Sequence, residues 1–173
     1  VHKGRSCPTV TIIMRIMKLR NGGFSVIKSV RIDLVLTLEP AVQRSCPMTK
    51  SAITSPELAP PVGPFSPAVD AGGVIYVSGH VGQDPATGKL VTGGITAEAE
   101  RIFQNLASLL KAAGKGFDDV VRAGVYLTNM ADYGALNGIY ARHFTQPFPA
   151  RTVIGVAMLP LGACVEIDLV VKM

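Results

Sequence analysis

Hydrophobic residues recur at helical spacing in two stretches of this chain. The first lies between Thr96 and Gly114, and the second covers residues 132–144. Thr96 is a residue type suited to the N-cap of a helix, and Gly114 is suited to the first position past its end. Both stretches therefore predict amphipathic helices. The residues expected to face the core are Ile102, Phe103, Leu106, Leu109, Leu110 and Ala113 in the first helix, and Leu136, Ile139, Tyr140 and Phe144 in the second.

Alternating or β-branched segments predict four strands around these helices, at residues 74–77, 120–127, 151–158 and 164–172. The proline-rich residues 55–67 predict an extended lead-in, because each proline fixes its own backbone. Strands interleaved with two helices indicate an α+β domain with one mixed sheet and both helices on one face. The other face needs a cover that so short a chain does not supply, so we expect self-association.

The net charge of +5 is unevenly distributed along the 173 residues. Residues 1–47 hold eight Lys/Arg and two acids, whereas residues 48–173 hold nine Lys/Arg and ten acids, a net charge of −1. Residues 48–173, expected to form one domain, thus give no electrostatic case for nucleic acid. Three interpretations of residues 1–47 stay open: upstream sequence translated ahead of Met48, an organelle-targeting segment, or an extra element that binds a partner. None of them assigns chemistry to this extension.

The placement of cysteine and histidine gives no sign of disulfides or of a metal. The three cysteines are odd in number and lack C-x-x-C spacing, which favours a reducing, cytoplasmic compartment. The three histidines never occur at i, i+4, so no zinc site is predicted. Basic residues interrupt every apolar run before it reaches membrane-spanning length, and no membrane association is expected. The cysteines are Cys7, Cys46 and Cys164.

An arginine near an acidic strand is the first candidate for chemistry. Arg151 follows Pro147 and Pro149, which stiffen its approach, and a fixed guanidinium can bind a carboxylate through two parallel hydrogen bonds. On the last strand, Glu166 and Asp168 share the face opposite the apolar residues. We expect Arg151 to face a carboxylate on a neighbouring strand, an arrangement suited to a small anionic substrate. The alternatives are a surface ion pair for the arginine and a solvated face for the acids.

A second candidate is the Ser78-Gly79 pair, at the end of the predicted strand 74–77. It would bring a hydroxyl and exposed backbone close to a ligand, and the alternative is a hydroxyl that bonds local backbone. His80 is either an acid–base group or a surface histidine. Spacing alone pairs no nucleophile with a base.

Several short segments together carry a resemblance to known proteins. In chain order they are Gly63-Pro-Phe-Ser-Pro-Ala68, Val74-Ile-Tyr-Val-Ser-Gly79, residues 106–114, Val125-Tyr-Leu-Thr-Asn-Met130, and Phe148-Pro-Ala-Arg-Thr152 followed by Val165-Glu-Ile-Asp168. This ordered set resembles the Rid family of reactive-intermediate deaminases, also called the YjgF-type family. The resemblance covers nearly all of residues 55–172 and none of residues 1–47, and its Pro-Ala-Arg and Val-Glu-Ile pieces are the most specific.

The resemblance implies a chorismate-mutase-like fold assembled as a homotrimer, with sites in clefts between subunits. It implies hydrolysis of reactive 2-imino acids and enamines, of the 2-aminoacrylate and 2-iminobutanoate type, to 2-keto acids and ammonia, without cofactor or metal. Arg151 would then anchor the substrate carboxylate, and Glu166 would orient the attacking water or move protons. Ser78, Gly79 and Phe65 would line the substrate site.

Two departures from the family pattern bear on activity. Phe65 stands where the family often has Tyr, which removes a pocket hydroxyl, and Val153 stands where it often has Cys. Whether Phe65 changes the substrate range or rate stays open. The alternative function is a non-catalytic trimeric binder of small carboxylates. RNA cleavage or inhibition of translation, ascribed to some relatives, is disfavoured by the charge of −1 on residues 48–173.

Overall fold

A computed structural model describes residues 50–173 of the chain, and the interpretations of residues 1–47 concern residues outside this range. The described part contains one six-stranded sheet and two α-helices. The elements are β1 (Ser51–Ile53), β2 (Ala68–Asp70), β3 (Val74–His80), α1 (Gly94–Ala112), β4 (Val120–Leu127), α2 (Tyr133–His143), β5 (Ala150–Gly155) and β6 (Val165–Lys172).

The sheet has the strand order β1-β2-β3-β6-β4-β5. All neighbouring pairs are antiparallel except β4 and β5, which are parallel and joined through α2. Parallel neighbours need such a crossover, because a tight turn can only reverse the chain. One mixed sheet with two helices confirms the predicted α+β class. The C-terminal strand β6 lies inside the sheet, and β5 forms one of its edges.

Both helices pack on one face of the sheet, and the core lies between them and the strands. The predicted alternation along β6 is confirmed, since its four odd-numbered residues are buried and the intervening ones are partly or fully exposed. Each such fully buried aliphatic side chain contributes about 1.5–3 kcal/mol relative to an exposed one. The predicted core-facing residues of both helices are buried, except Ala113, which is half-buried against the core.

The ends of α1 show where local sequence signals succeeded and where they failed. Gly114 has φ 68°, as predicted for the residue past a helix end. Its N–H donates to Lys111 O, and the N–H of Lys115 donates to Leu110 O, which together form a Schellman motif. The prediction of Thr96 as N-cap was wrong. The helix begins at Gly94, and the preceding Gly93 has φ 123°, a conformation that most other residues avoid.

Two further boundaries differ from the sequence-based prediction, and two short strands were not predicted. β5 ends at Gly155 instead of residue 158, although the N–H of Val156 still donates to Leu127 O at 2.8 Å. β3 continues past residue 77 to His80 through an irregularity in its pairing with β6. The short strands β1 and β2 were not predicted, because three residues give too little periodicity to recognise.

Candidate functional site

The face of the sheet that points away from the helices carries the polar residues of the central strands. Glu166 and Asp168 of β6 lie there, and both are half-buried. Tyr76 of β3 and Ile154 of β5 are 56% and 47% exposed on or beside this face. A sheet face that mixes carboxylates with half-exposed apolar side chains suits contact with another protein surface better than contact with water alone.

Asp168 is held by two neighbours on β4. The hydroxyl of Tyr126 donates to Asp168 Oδ2 at 2.9 Å, and Arg122 Nη1 lies 3.6 Å from Asp168 Oδ1. The hydrogen bond to the carboxylate, with partial burial, raises the pKa of Tyr126. A Cβ at Gly124, the register partner of Asp168, would overlap this carboxylate. Asp168 is therefore neutralised and fixed by its own chain.

Glu166 has no such partner. It forms no salt bridge with any of residues 50–173. Its carboxylate lies over Gly79 of β3, where a Cβ would overlap Oε1. Burial, and secondly the negative charge of Asp168, raise the pKa of Glu166. The two acids on this strand thus have different partners, and Glu166 combines a raised pKa with the lack of an ion-pair partner among residues 50–173, which is typical of proton-transfer groups.

A cavity of about 420 Å³ opens beside Glu166. It brings together four of the predicted site residues, Phe65, Ser78, Gly79 and Glu166. The lead-in residues 58–62 form an apolar wall. The cavity also includes Leu161, which has φ 60° and a side chain that is 57% exposed.

The predicted roles of Ser78 and Phe65 receive different support from their surroundings. The Ser78 hydroxyl donates to the carbonyl of Ser66 at 2.7 Å, so it bonds backbone, but backbone of the lead-in instead of the local backbone that the alternative expected. Its oxygen still has acceptor capacity for a ligand. The ring of Phe65 is 52% exposed at the cavity and brings no polar group to it.

His80 belongs to the cavity lining, and the sequence did not settle its role. Burial lowers its pKa to about 4, against an opposing hydrogen bond with the carbonyl of Pro67. Its Nε2 is buried and has no hydrogen-bond partner among residues 50–173. The structure therefore places a half-buried imidazole at the cavity, instead of the exposed histidine of the surface interpretation. The signal that could have revealed this is the position of His80 at the end of a buried strand.

Arg151 lies elsewhere. Its register partner on β4 is Ala123, a core residue, so Arg151 points to the helix side of the sheet. Its Nη2 donates to the hydroxyl of Tyr133 at 3.2 Å, and its guanidinium carbon lies 4.5 Å from the ring centroid of Tyr140. Arg151 forms no salt bridge within residues 50–173.

The expectation that Arg151 faces a carboxylate on a neighbouring strand was wrong for the single chain. β4 separates β5 from β6, and Arg151 and Glu166 point to opposite faces of the sheet. The physical reason is the parallel register of β4 and β5, which depends on the crossover through α2 and leaves no trace in local spacing. Within residues 50–173, the structure thus holds a cation and a carboxylate that form no salt bridge and that lie on opposite faces of the sheet.

Two other classes of site have no support within the described residues. No group of three or more His, Cys, Asp or Glu side chains among residues 50–173 could hold a metal ion. In the same range, no helix combines the length and the apolar character needed to cross a bilayer.

Comparison with known proteins decides the family. The family model described as Endoribonuclease L-PSP matches residues 56–173. The crystal structure of RidA from the Antarctic bacterium Psychrobacter sp. is similar with a TM-score of 0.68 and 36% identity, covering 71% of this chain and 99% of that one. This chain belongs to the Rid family.

Named relatives in the Rid family are similar over most of their length. A 2-iminobutanoate/2-iminopropanoate deaminase of Dermatophagoides farinae is 41% identical over 125 residues, which is 72% of this chain and 98% of that protein. The mouse protein of the same name is 43% identical over 119 residues, 69% of this chain and 88% of that protein.

Proposed function

We propose that this protein hydrolyses 2-imino acids and their enamines to 2-keto acids and ammonia. The relatives named 2-iminobutanoate/2-iminopropanoate deaminase support the reaction. The observation that carries the proposal is the pair of unneutralised charges, Arg151 and Glu166, in a Rid fold. A 2-imino acid offers a carboxylate for the cation, and its C=N carbon accepts water with the help of one proton-transfer group.

Each charge has a defined task in this reaction. Arg151 binds the substrate carboxylate, for which its planar donors are matched. Glu166 accepts a proton from water as the oxygen adds to the imine carbon, and passes that proton to the nitrogen to give the neutral carbinolamine. The Glu166 carboxylate then takes the hydroxyl proton and delivers it to the nitrogen as the C–N bond breaks, so that the C=O bond forms and ammonia leaves. One water is consumed, and no electrons are exchanged, so no cofactor is needed.

The raised pKa of Glu166 suits this task. A general acid–base works best when its pKa lies near the working pH, and burial moves the carboxyl in that direction. The Asp168 carboxylate is already engaged by Tyr126 and Arg122. We assign proton transfer to Glu166 alone. Gly79 provides the space for its carboxylate, and Ser78 and Phe65 form walls of the substrate site.

The active unit we propose contains more than one chain, as a homotrimer with sites between subunits. Support comes from the opposite orientation of Arg151 and Glu166, since a second copy is needed to bring one of each to a substrate. The sheet face that residues 50–173 leave uncovered supplies a surface for that contact. A cytoplasmic location belongs to the same proposal, with Cys164 as a free thiol. We also propose that residues 48–173 form the catalytic domain, with residues 1–47 outside it.

The first test measures turnover. Threonine dehydratase generates 2-iminobutanoate in place, and 2-oxobutanoate formation is followed above the spontaneous rate. We expect acceleration by the wild-type chain and loss of at least about a hundredfold for Arg151→Ala and for Glu166→Gln. Asp168→Asn is the matched control on the same strand and should keep most of the activity. If Asp168→Asn and Glu166→Gln fall equally, Glu166 has no special role.

A mixing experiment tests the shared site. Arg151→Ala and Glu166→Gln chains are unfolded together and refolded. If each site takes its arginine and its glutamate from different chains, about a quarter of the sites receive both wild-type residues by random assembly. About a quarter of the wild-type activity should then return. If both residues came from one chain, no mixture would regain activity.

The main rival is a carboxylate binder without turnover. Binding of 2-oxobutanoate with no acceleration of imine hydrolysis would support that rival and reject the deaminase. RNA cleavage is measured in parallel, because the matched family model is described as an endoribonuclease. We expect none above background, given the charge of −1 on residues 48–173.

A further inference from the structure

Two tyrosines of helix α2 hold the side chain of Arg151. Tyr133 is the first residue of α2, and Tyr140 lies seven residues further along, so both project from one stripe of the helix. The Tyr133 hydroxyl accepts a hydrogen bond from Arg151 at 3.2 Å. The Tyr140 ring lies under the guanidinium at 4.5 Å, within the range of cation–π attraction. Two contacts at different angles restrict the guanidinium far more than one would.

The position of Tyr133 is itself fixed by a local cap. Asn129 follows β4, and its side chain accepts a hydrogen bond from the N–H of Ala131 at 3.1 Å. This cap starts the short 3₁₀ helix Met130–Asp132, which leads directly into α2. The crossover that makes β4 and β5 parallel therefore also delivers the tyrosines to Arg151.

Neither tyrosine carries a charge, which distinguishes this arginine from one held in an ion pair. An arginine beside a sheet is commonly held by Asp or Glu, and such a partner would neutralise its charge. Arg151 has no carboxylate within 4 Å among residues 50–173. The Tyr133 hydroxyl accepts from one of the five N–H donors of the Arg151 guanidinium. The Tyr140 ring covers a flat face of the guanidinium instead of its donor-bearing edge. The remaining edge keeps its donors and its full charge for an anion.

We propose that Tyr133 and Tyr140 are positioning residues that hold Arg151 without neutralising it, and thereby set its affinity for the substrate carboxylate. This inference rests on the proposed function only in that Arg151 binds a carboxylate. It assigns the two tyrosines to binding and leaves the proton transfer at Glu166 untouched.

The test is binding of 2-oxobutanoate, the product keto acid, by calorimetry, together with KM and kcat for 2-iminobutanoate. Tyr133→Phe removes only the hydroxyl, and we expect Kd and KM to rise about three- to tenfold with kcat nearly unchanged, the cost of ordering one long side chain. Tyr140→Leu should weaken binding at least as much. Tyr133→Glu, which offers Arg151 an ion pair at an exposed helix start, should weaken binding most. Thr145→Val, which removes an exposed hydroxyl that donates to Asp118 Oδ1 at 2.8 Å, is the control for loss of a hydroxyl elsewhere.

A double-variant cycle separates positioning from a general structural role. In an Arg151→Ala background, Tyr133→Phe should have no further effect on binding, because its partner is gone. An equal loss in both backgrounds would overturn the inference, as would unchanged binding in Tyr133→Phe. Failure of the wild type to bind any small carboxylate would also overturn it. Binding with the expected cycle but without turnover would reject the deaminase and leave the role of the tyrosines standing.

Discussion

Replacing His80 by glutamine should remove a large part of the acid sensitivity of this fold. His80 lies at the end of β3, with its Nε2 buried and unpartnered among residues 50–173. Protonation would place a positive charge there without a compensating group. Burial therefore lowers the pKa of His80 from 6.5 to about 4. The unfolded chain takes up a proton at a higher pH than the folded chain, so stability falls as the pH drops from about 6.5 towards about 4.

The size of the effect follows from proton linkage. With pKa values of 6.5 unfolded and about 4 folded, the His80 contribution to the free energy of unfolding falls by about 2 kcal/mol at pH 5 and by about 3 kcal/mol at pH 4. At pH 8 the contribution of protonation vanishes. Glutamine keeps polar atoms at the same place and cannot titrate, so His80→Gln should lack this pH-dependent loss.

The assay is urea unfolding of both proteins from pH 8 to pH 5, with the difference in unfolding free energy plotted against pH. Subtracting the two curves removes the shared contribution of other titrating groups, including His143. The difference should change by about 2 kcal/mol in favour of His80→Gln between pH 8 and pH 5. A constant difference would refute the reasoning. So would an NMR titration in which the His80 resonance, assigned by its absence in the variant, moves with a midpoint near 6.5.

Three further variants test single features of the site. Glu166→Gln should stabilise the fold at pH 8, because the raised pKa of Glu166 means that its ionised carboxylate opposes folding. This gain in stability, measured by thermal unfolding, should shrink as the pH falls to 4. A gain that grows on acidification would contradict the prediction. Gly79→Ala should displace the Glu166 carboxylate and lower kcat about tenfold or more, whereas Gly124→Ala, which displaces Asp168 instead, should retain more activity in the same 2-oxobutanoate assay. Leu161→Gly should raise the free energy of unfolding in urea by up to about 1 kcal/mol, because glycine adopts the left-handed backbone conformation of this position without strain. A clear loss of stability would show that the Leu161 side chain contributes more packing than its 57% exposure indicates.

Local patterns predicted most of the fold. Helical spacing identified the buried faces of α1 and α2, and alternation along β6 placed Glu166 and Asp168 on one face. These features depend on periods of a few residues, which any single segment displays. The same is true of Gly114, whose positive φ follows from its place after a run of helix-forming residues.

The site was harder to predict, because it depends on contacts between distant segments. Arg151 was found from its prolines, but its side of the sheet depends on pairing with β4. Of the two tyrosines that hold it, Tyr140 was predicted only as a core-facing helix residue, and Tyr133 was not singled out. For His80 the only local sign was its place at the end of a buried strand, since the rest of its environment is built from the lead-in residues more than ten positions earlier.

On the proposal of a site shared between chains, the opposite orientation of Arg151 and Glu166 makes folding and activity two separate steps. A newly folded chain would have its core, its cavity and both charges in place, yet it would hold no complete site of the kind proposed above. Competence would arise only at the encounter of copies, so specific activity should depend on protein concentration. A chain that folds but fails to assemble would be stable but inactive, so the rate of turnover would measure the assembled fraction directly.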